Sequence, residues 1–302
     1  MKKLLPLLLF SFPIYSLHAQ IFIQKYQDRA NQVSQESLIT SLQDFEQFGI
    51  KKTGSENSVK TLNWLKDKYI SYGYSPDQME EDPFIVDGVH SKNLIITKRG
   101  TAYPTTYIVV CAHYDTVGGA GVNDNGSGTS IILEAAKILK DIPTEYSIKF
   151  IHFSGEEQGL DGSFHYANTV AFNNDTKILD IKLVLNIDQV GGKKGNINDT
   201  LICEKDMNDL YENNSASESI TKQLAVCTTL YSPLKAKISE AYSSDYIPFE
   251  EKGYVITGLY EYPKSHHEHS QKDNFNNIDP EYVFNVGKVT VGAIQHFAKA
   301  AK

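Results

Sequence analysis

The sequence predicts a single-domain α/β protein with a mostly parallel central sheet and helices on both faces. Two observations carry this. Beyond Pro104, short apolar runs rich in β-branched residues alternate with segments of helical periodicity, the pattern of strands buried on both faces and joined by crossover helices. Between residues 20 and 302 no Pro/Gly/Ser-rich linker or internal repeat divides the chain, so one domain is expected there.

The elements follow in order. A helix is expected over 34–48, with Leu38, Leu42 and Phe45 on one face, and a second over 56–72, carrying Val59, Leu62, Leu65 and Ile70 and ending at Gly73. Residues 84–89 and 93–98 read as two strands around a turn. Then come a strand over 107–112, a helix over 127–139, a strand over 148–153, a helix over 163–172 and a strand over 181–187. A strand near 200–203, a helix near 217–225, a strand over 254–260 and a last helix over 280–298 complete the chain. Residues 191–198 and 263–277 are polar and read as surface loops.

Composition is ordinary for a globular chain of 302 residues, at 41% apolar and 22% charged. A formal net charge of −8 argues against nucleic-acid binding, which draws on basic patches. Lys2 and Lys3 precede an apolar stretch over 4–14, and small or polar residues lead to Ala19 and Gln20. That layout predicts a signal peptide over 1–19, cleaved after Ala19, and hence a periplasmic or secreted protein. The stretch is too short to span a bilayer. Without Lys2 and Lys3 the chain carries 27 basic against 37 acidic residues. Export permits disulfides. Cys203 and Cys227 are available to pair, whereas Cys111 sits in a strand-like run as a buried thiol.

Four expected strands lead into residues of the metal-ligating type. Tyr-Ile-Val-Val-Cys-Ala runs into His113, and Ile-Lys-Phe-Ile-His-Phe into Glu156 and Glu157. Lys-Leu-Val-Leu-Asn-Ile runs into Asp188, and the strand ending at Tyr260 leads through a loop to His269. In an open parallel sheet ligands bind beyond the carboxyl ends of the strands, so one edge would collect all four. Asp124 follows the turn Gly118-Gly119-Ala120-Gly121 and precedes a helix, a place from which a carboxylate can give one oxygen to each of two metals. His, Asp, Glu, Asp and His suit two zinc ions with an open position, although such N/O sites also accept manganese or cobalt. Singly, each residue has an ordinary structural reading. Asn125-Gly126-Ser127 matches a glycosylation sequon, but is read here as a turn.

The stretches His113-Tyr-Asp-Thr, Gly121-Val-Asn-Asp124-Asn-Gly-Ser-Gly, Phe153-Ser-Gly-Glu156-Glu157-Gln-Gly-Leu, Asn186-Ile-Asp188 and His269-Ser-Gln-Lys-Asp273 resemble the co-catalytic di-zinc aminopeptidase family. That family includes secreted bacterial leucine aminopeptidases, glutamate carboxypeptidases and glutaminyl cyclases. The resemblance runs in order from about residue 34 to the C-terminus. It implies that Asp124 bridges two zinc ions, with Glu157 and His269 on one and His113 and Asp188 on the other. It implies a catalytic pair: Glu156 as general base for water attack on a peptide bond, and Asp115 accepting a hydrogen bond from His113. Ser243-Ser244-Asp245 matches the family's Ser-Asp-His segment near the substrate, so Asp245 and Tyr246 are expected to contact substrate, with Tyr246 departing from the family's His. Asp273 is expected to help position the His269 loop.

The expected activity is therefore a metallo-aminopeptidase acting on peptides. A glutaminyl cyclase with a single zinc is a second reading, but Glu268 stands where that group places a Trp before the last His. A carboxypeptidase or dipeptidase is a third, and no Arg-rich pocket for an acidic substrate is apparent. A non-catalytic binding protein on the same fold is a fourth, and here all five ligand-type residues and Glu156 are present.

Overall fold

The computed structural model of the chain describes residues 21–207 and 213–302, so the leader expected over 1–19 lies outside the described residues. Three helices open the described chain: α1 (Gln24–Ala30), α2 (Gln35–Gln47) and α3 (Glu56–Ser71). They lead into strands β1 (Met79–Val86), β2 (Val89–Lys98) and β3 (Tyr103–His113), helix α4 (Gly126–Leu139) and strand β4 (Tyr146–Phe153). Helix α5 (Asp161–His165) continues as a π turn into the hairpin β5 (Phe172–Asn173) and β6 (Thr176–Lys177). The chain then runs through β7 (Asp180–Ile187), β8 (Thr200–Lys205), α6 (Asn214–Tyr231), β9 (Lys235–Glu240), α7 (Ile247–Glu250), β10 (Ile256–Tyr262) and α8 (Pro280–Phe297).

Eight strands form one sheet in the order β1-β2-β4-β3-β7-β10-β8-β9. Its middle, β4-β3-β7-β10, is parallel throughout. Antiparallel pairing enters where β2 joins β4 and β8 joins β10, so the sheet is mixed around a parallel centre. Alternation along β3 explains the two layers. Ile108, Val110 and Ala112 pack into the larger core under α1–α4, α6 and α8, while Val109 and Cys111 face the smaller one with Tyr166 and Phe249. Each such aliphatic side chain contributes roughly 1.5–3 kcal/mol when fully buried.

The departures from expectation have physical causes. Helix α1 is short and polar, and its fold comes from tertiary contact: Tyr26 and Ala30 are buried, and the Tyr26 hydroxyl donates to Ala300 O at 2.5 Å. Strand β9, Lys-Ala-Lys-Ile-Ser-Glu, lies at the sheet edge with Ile238 as its one large apolar residue, leaving no apolar run to read. The β1–β2 turn falls at Asp87-Gly88, both at positive φ (49° and 79°), where an Asp-Gly pair favours a two-residue hairpin; the residues expected to turn, 90–92, are in strand β2. On α3 the buried face is Leu62, Leu65 and Tyr69, and Val59 and Ile70 are exposed. All three cysteines are buried thiols with no disulfide among them, so Cys203 and Cys227 do not pair; Cys203 Sγ lies 3.6 Å from Thr228 Oγ1 instead. No described helix is long and apolar enough to cross a membrane.

Candidate metal centre

The parallel middle of the sheet sets the site. Strand β3 ends on His113, β4 is followed by the turn that carries Glu156 and Glu157, β7 is followed directly by Asp188, and β10 leads by a loop to His269. Asp124 closes the glycine turn just before α4. These residues form two overlapping groups, His113–Asp124–Asp188 and Asp124–Glu157–His269, with the ligating atoms of each group within 4.8 Å of one another. Asp124 is common to both. Its Oδ1 lies 3.2 Å from His113 Nε2 and its Oδ2 3.4 Å from His269 Nε2. Asp188 Oδ1 lies 3.4 Å from His113 Nε2, and Glu157 Oε2 lies 2.6 Å from His269 Nε2.

Local sequence fixes each of these. Asn125 caps α4: its Oδ1 accepts the Gly128 N–H at 2.9 Å and its Nδ2 donates to Ile187 O at 2.8 Å. It is fully buried, which does not suit a glycosylation site, and the segment expected as a turn is the start of α4, with Gly126 and Ser127 already helical. The His269 loop lies against the glycine turn so closely that a Cβ at Gly118 would run into the His269 carbonyl and one at Gly119 into the Ser270 carbonyl. Asp273 ties the same two segments: its carboxylate accepts the Asn123 N–H at 2.6 Å and the Asp124 N–H at 2.9 Å, so it holds the Asp124 segment as well as its own loop. Glu261 accepts from the Asn123 side chain, Ser265 N and Gly192 N. Glu261 does not stand out in the sequence, and the role of Asn123, although it lies in the glycine-turn stretch, appears only when distant loops meet.

Two residues sit otherwise than the sequence implies. His113 Nδ1 lies 3.1 Å from the main-chain oxygen of Asp115, while the Asp115 carboxylate is 3.7 Å away. That carboxylate instead accepts the Glu156 and Glu157 amides, each at 3.2 Å, and so positions the glutamate turn. Tyr246 is fully buried, its hydroxyl donating to Glu204 at 3.0 Å and accepting the Tyr242 N–H at 2.9 Å; its polar end is committed beneath the site. Asp245 is buried beside it, close enough to Asp188 and Asp115 to feel their charge. Tyr242 is the tyrosine that reaches the centre, donating to Asp188 Oδ2 at 2.7 Å.

The charge balance indicates what belongs here. Burial, and then the Asp124 charge, push Glu157 up to about 8. Burial works against a charged His113, yet the Glu156 and Asp188 carboxylates hold its imidazole well above the ordinary range. The Asp124 carboxylate lifts His269 to about 9. Among the described residues, the His113 and His269 imidazoles lie directly against these carboxylates. His113 Nε2, Asp188 Oδ1 and Glu157 Oε1 are buried with no hydrogen-bond partner among the described residues. Buried polar atoms are ordinarily satisfied, and unpartnered atoms on ligands of both groups, all N or O, fit divalent cations of the zinc type.

Residues 93–294 match the family model for peptidase family M28. The chain belongs to peptidase family M28. This M28 chain is 28% identical over 222 residues to aminopeptidase YwaD of Bacillus subtilis, covering 70% of the chain and 46% of YwaD, so it spans less than half the length of that curated relative. Its fold follows the Legionella pneumophila LapA aminopeptidase, with a TM-score of 0.78 at 20% identity, covering 100% of this chain and 81% of LapA. It also follows the glutaminyl cyclase of Macrostomum lignano, with a TM-score of 0.77 at 17% identity, over 91% and 93% of the two chains.

Proposed function

We propose that this M28 chain is an exported metallo-aminopeptidase that hydrolyses the N-terminal bond of peptides, holding two zinc ions with Glu156 as general base. The observation that carries the reading is the sharing of Asp124, one oxygen facing each of two ligand groups. Zinc ions held by His113, Asp124 and Asp188 and by Asp124, Glu157 and His269 would polarise the scissile carbonyl and acidify water.

The chain's own residues do the rest. Glu156 Oε2 lies 3.9 Å from His113 Nε2, at the mouth of the cluster, and its side chain keeps some exposure. Burial first, then the nearby Asp188 and Asp245 charges, hold its carboxyl well above the ordinary range, against the pull of His113. A carboxylate so placed takes a proton from attacking water and returns it to the leaving amine. Asp115 holds the Glu156 main chain in place for that transfer.

The test is incubation of the purified protein with a mixed peptide library, with and without chelator, read by mass spectrometry. Stepwise loss of N-terminal residues that chelation abolishes supports the proposal. Ammonia loss from N-terminal Gln peptides would make the chain a cyclase, and trimming from the other end a carboxypeptidase. Glu156→Gln is expected to retain metal and lose turnover. Export is tested by N-terminal sequencing of the protein recovered from periplasm and medium, where a start at Gln20 is expected.

A further inference from the structure

Asp188 is held unlike the other carboxylates of the centre. Its two oxygens are divided between two tasks. Oδ2 accepts two hydroxyl donors, Tyr242 at 2.7 Å and Ser244 at 2.7 Å. Oδ1 has no hydrogen-bond partner and faces His113 Nε2 at 3.4 Å. Both donors come from the loop after β9, and both are themselves braced. Asn186 Nδ2 donates to Ser244 Oγ at 2.8 Å. The Tyr242 main chain donates to the Tyr246 hydroxyl, which Glu204 anchors from below. The Tyr242 ring packs on Tyr260, whose hydroxyl donates to Gln189 Oε1 at 3.1 Å, and Gln189 Nε2 donates to Asp124 Oδ2 at 3.2 Å. The tyrosine pair therefore connects to both carboxylates of the buried group.

We propose that Tyr242 is a positioning residue of the His113–Asp124–Asp188 half-site: together with Ser244 it occupies Asp188 Oδ2 and leaves Oδ1 as the only oxygen offered to a metal. The inference rests on the two-metal reading above. A carboxylate with one oxygen saturated by two donors is held to single-oxygen ligation, and partners of this kind that orient a ligand typically alter metal affinity by about 10–100-fold. The other half-site has no such brace on its histidine: the His269 side chain is 56% exposed on its loop. Tyr242 itself donates to Asp188, a ligand of the His113–Asp124–Asp188 group only, so its direct effect falls on that site.

The experiment compares wild type, Tyr242→Phe and Ser244→Ala, stripped of metal and titrated with zinc against a chelator of known affinity, then repeated with cobalt while the visible absorption is recorded. In Tyr242→Phe, zinc affinity at one of two sites is expected to fall 10–100-fold with the other unchanged. The cobalt band is expected to weaken as Asp188 swings toward two-oxygen ligation. A purely structural tyrosine would lower the unfolding midpoint without changing either readout. Wild type binding two zinc ions with Tyr242→Phe matching it in affinity and spectrum overturns the positioning role alone. Wild type binding no zinc overturns the two-metal reading and this proposal with it. Should Tyr242→Phe fail to fold, Ser244→Ala reads the same donor pair: an unchanged affinity and spectrum there overturns the proposal, and a one-site loss supports it.

Discussion

Replacing Asp273 by Asn tests whether the glycine turn and the His269 loop are held as one unit. In the wild type the Asp273 carboxylate is 2% exposed and accepts two main-chain amides, Asn123 at 2.6 Å and Asp124 at 2.9 Å. Asparagine keeps one acceptor oxygen and presents an NH2 to the other amide, donor against donor. Losing one acceptor leaves a buried amide unpaired, at roughly 1–3 kcal/mol, and the surviving bond becomes neutral. Burial lifts the Asp273 carboxyl to about 7, so removing its charge offsets part of this, and the expected loss is about 1–3 kcal/mol. The assay is urea unfolding of the metal-free and zinc-loaded proteins, with bound zinc measured alongside. A midpoint shift equivalent to at least about 1 kcal/mol in the metal-free protein, with weaker zinc retention because the Asp124 main chain is released, is the expected result. If the metal-free variant instead unfolds within about 0.5 kcal/mol of wild type, the surface-like range, the two amides are not held by this carboxylate and the reasoning fails.

Two further predictions concern stability. Lys51 is fully buried, and its ammonium donates to the carbonyls of Phe45, Gly49 and Ala120; Lys51→Met fills the space but strands three acceptors, so thermal unfolding should report a loss of about 2–4 kcal/mol on the scale of unsatisfied buried groups. His152 is buried with its Nε2 2.8 Å from the Tyr69 hydroxyl, and burial holds its imidazole down to about 3 against an ordinary 6.5. Between those values the unfolded chain takes up a proton that the folded chain refuses, so stability falls as pH falls, by about 1.4 kcal/mol per pH unit for that one proton. His152→Gln keeps an acceptor for Tyr69 and should flatten the acid limb of the denaturation midpoint against pH by that slope; an unaltered limb would show that His152 is not the group responsible.

Much of the architecture is legible in the sequence because it is written in short-range chemistry. The parallel middle of the sheet reads from four apolar runs; three of them end within a few residues of a ligand-type side chain, so the convergence of His113, Glu157 and Asp188 follows from strand direction, while His269 reaches the same edge through the loop after β10. Asp124 is legible for a different reason, since a glycine turn running into a helix has few purposes other than close approach. What the sequence hides is the company these residues keep. The Asp115 carboxylate turns away from His113 toward the Glu156 and Glu157 amides, a choice made by the path of the chain after β4. Tyr242 and Tyr246 are four residues apart and chemically alike, and only the packing on Glu204 beneath and Asp188 above decides which one reaches the centre. Helix α1 and strand β9 are hidden because neighbours, and not their own residues, make them stable.

The same contacts explain how so many carboxylates tolerate one another. Asp115 and Asp273 are answered by main-chain amides, Asp188 by hydroxyls, and Glu261 by amides and a side-chain amide. Among the described residues no Lys or Arg forms an ion pair with any of them. Lys51, the buried cation nearest the glycine turn, gives its protons to carbonyl oxygens. Amides and hydroxyls fix where a carboxylate oxygen points, but they supply only partial charges. A lysine within the cluster would neutralise it permanently and occupy the space between the two ligand groups. By holding the acids with neutral donors, the fold keeps their geometry and leaves a charge that the proposed zinc ions would balance, with uptake expected to release protons.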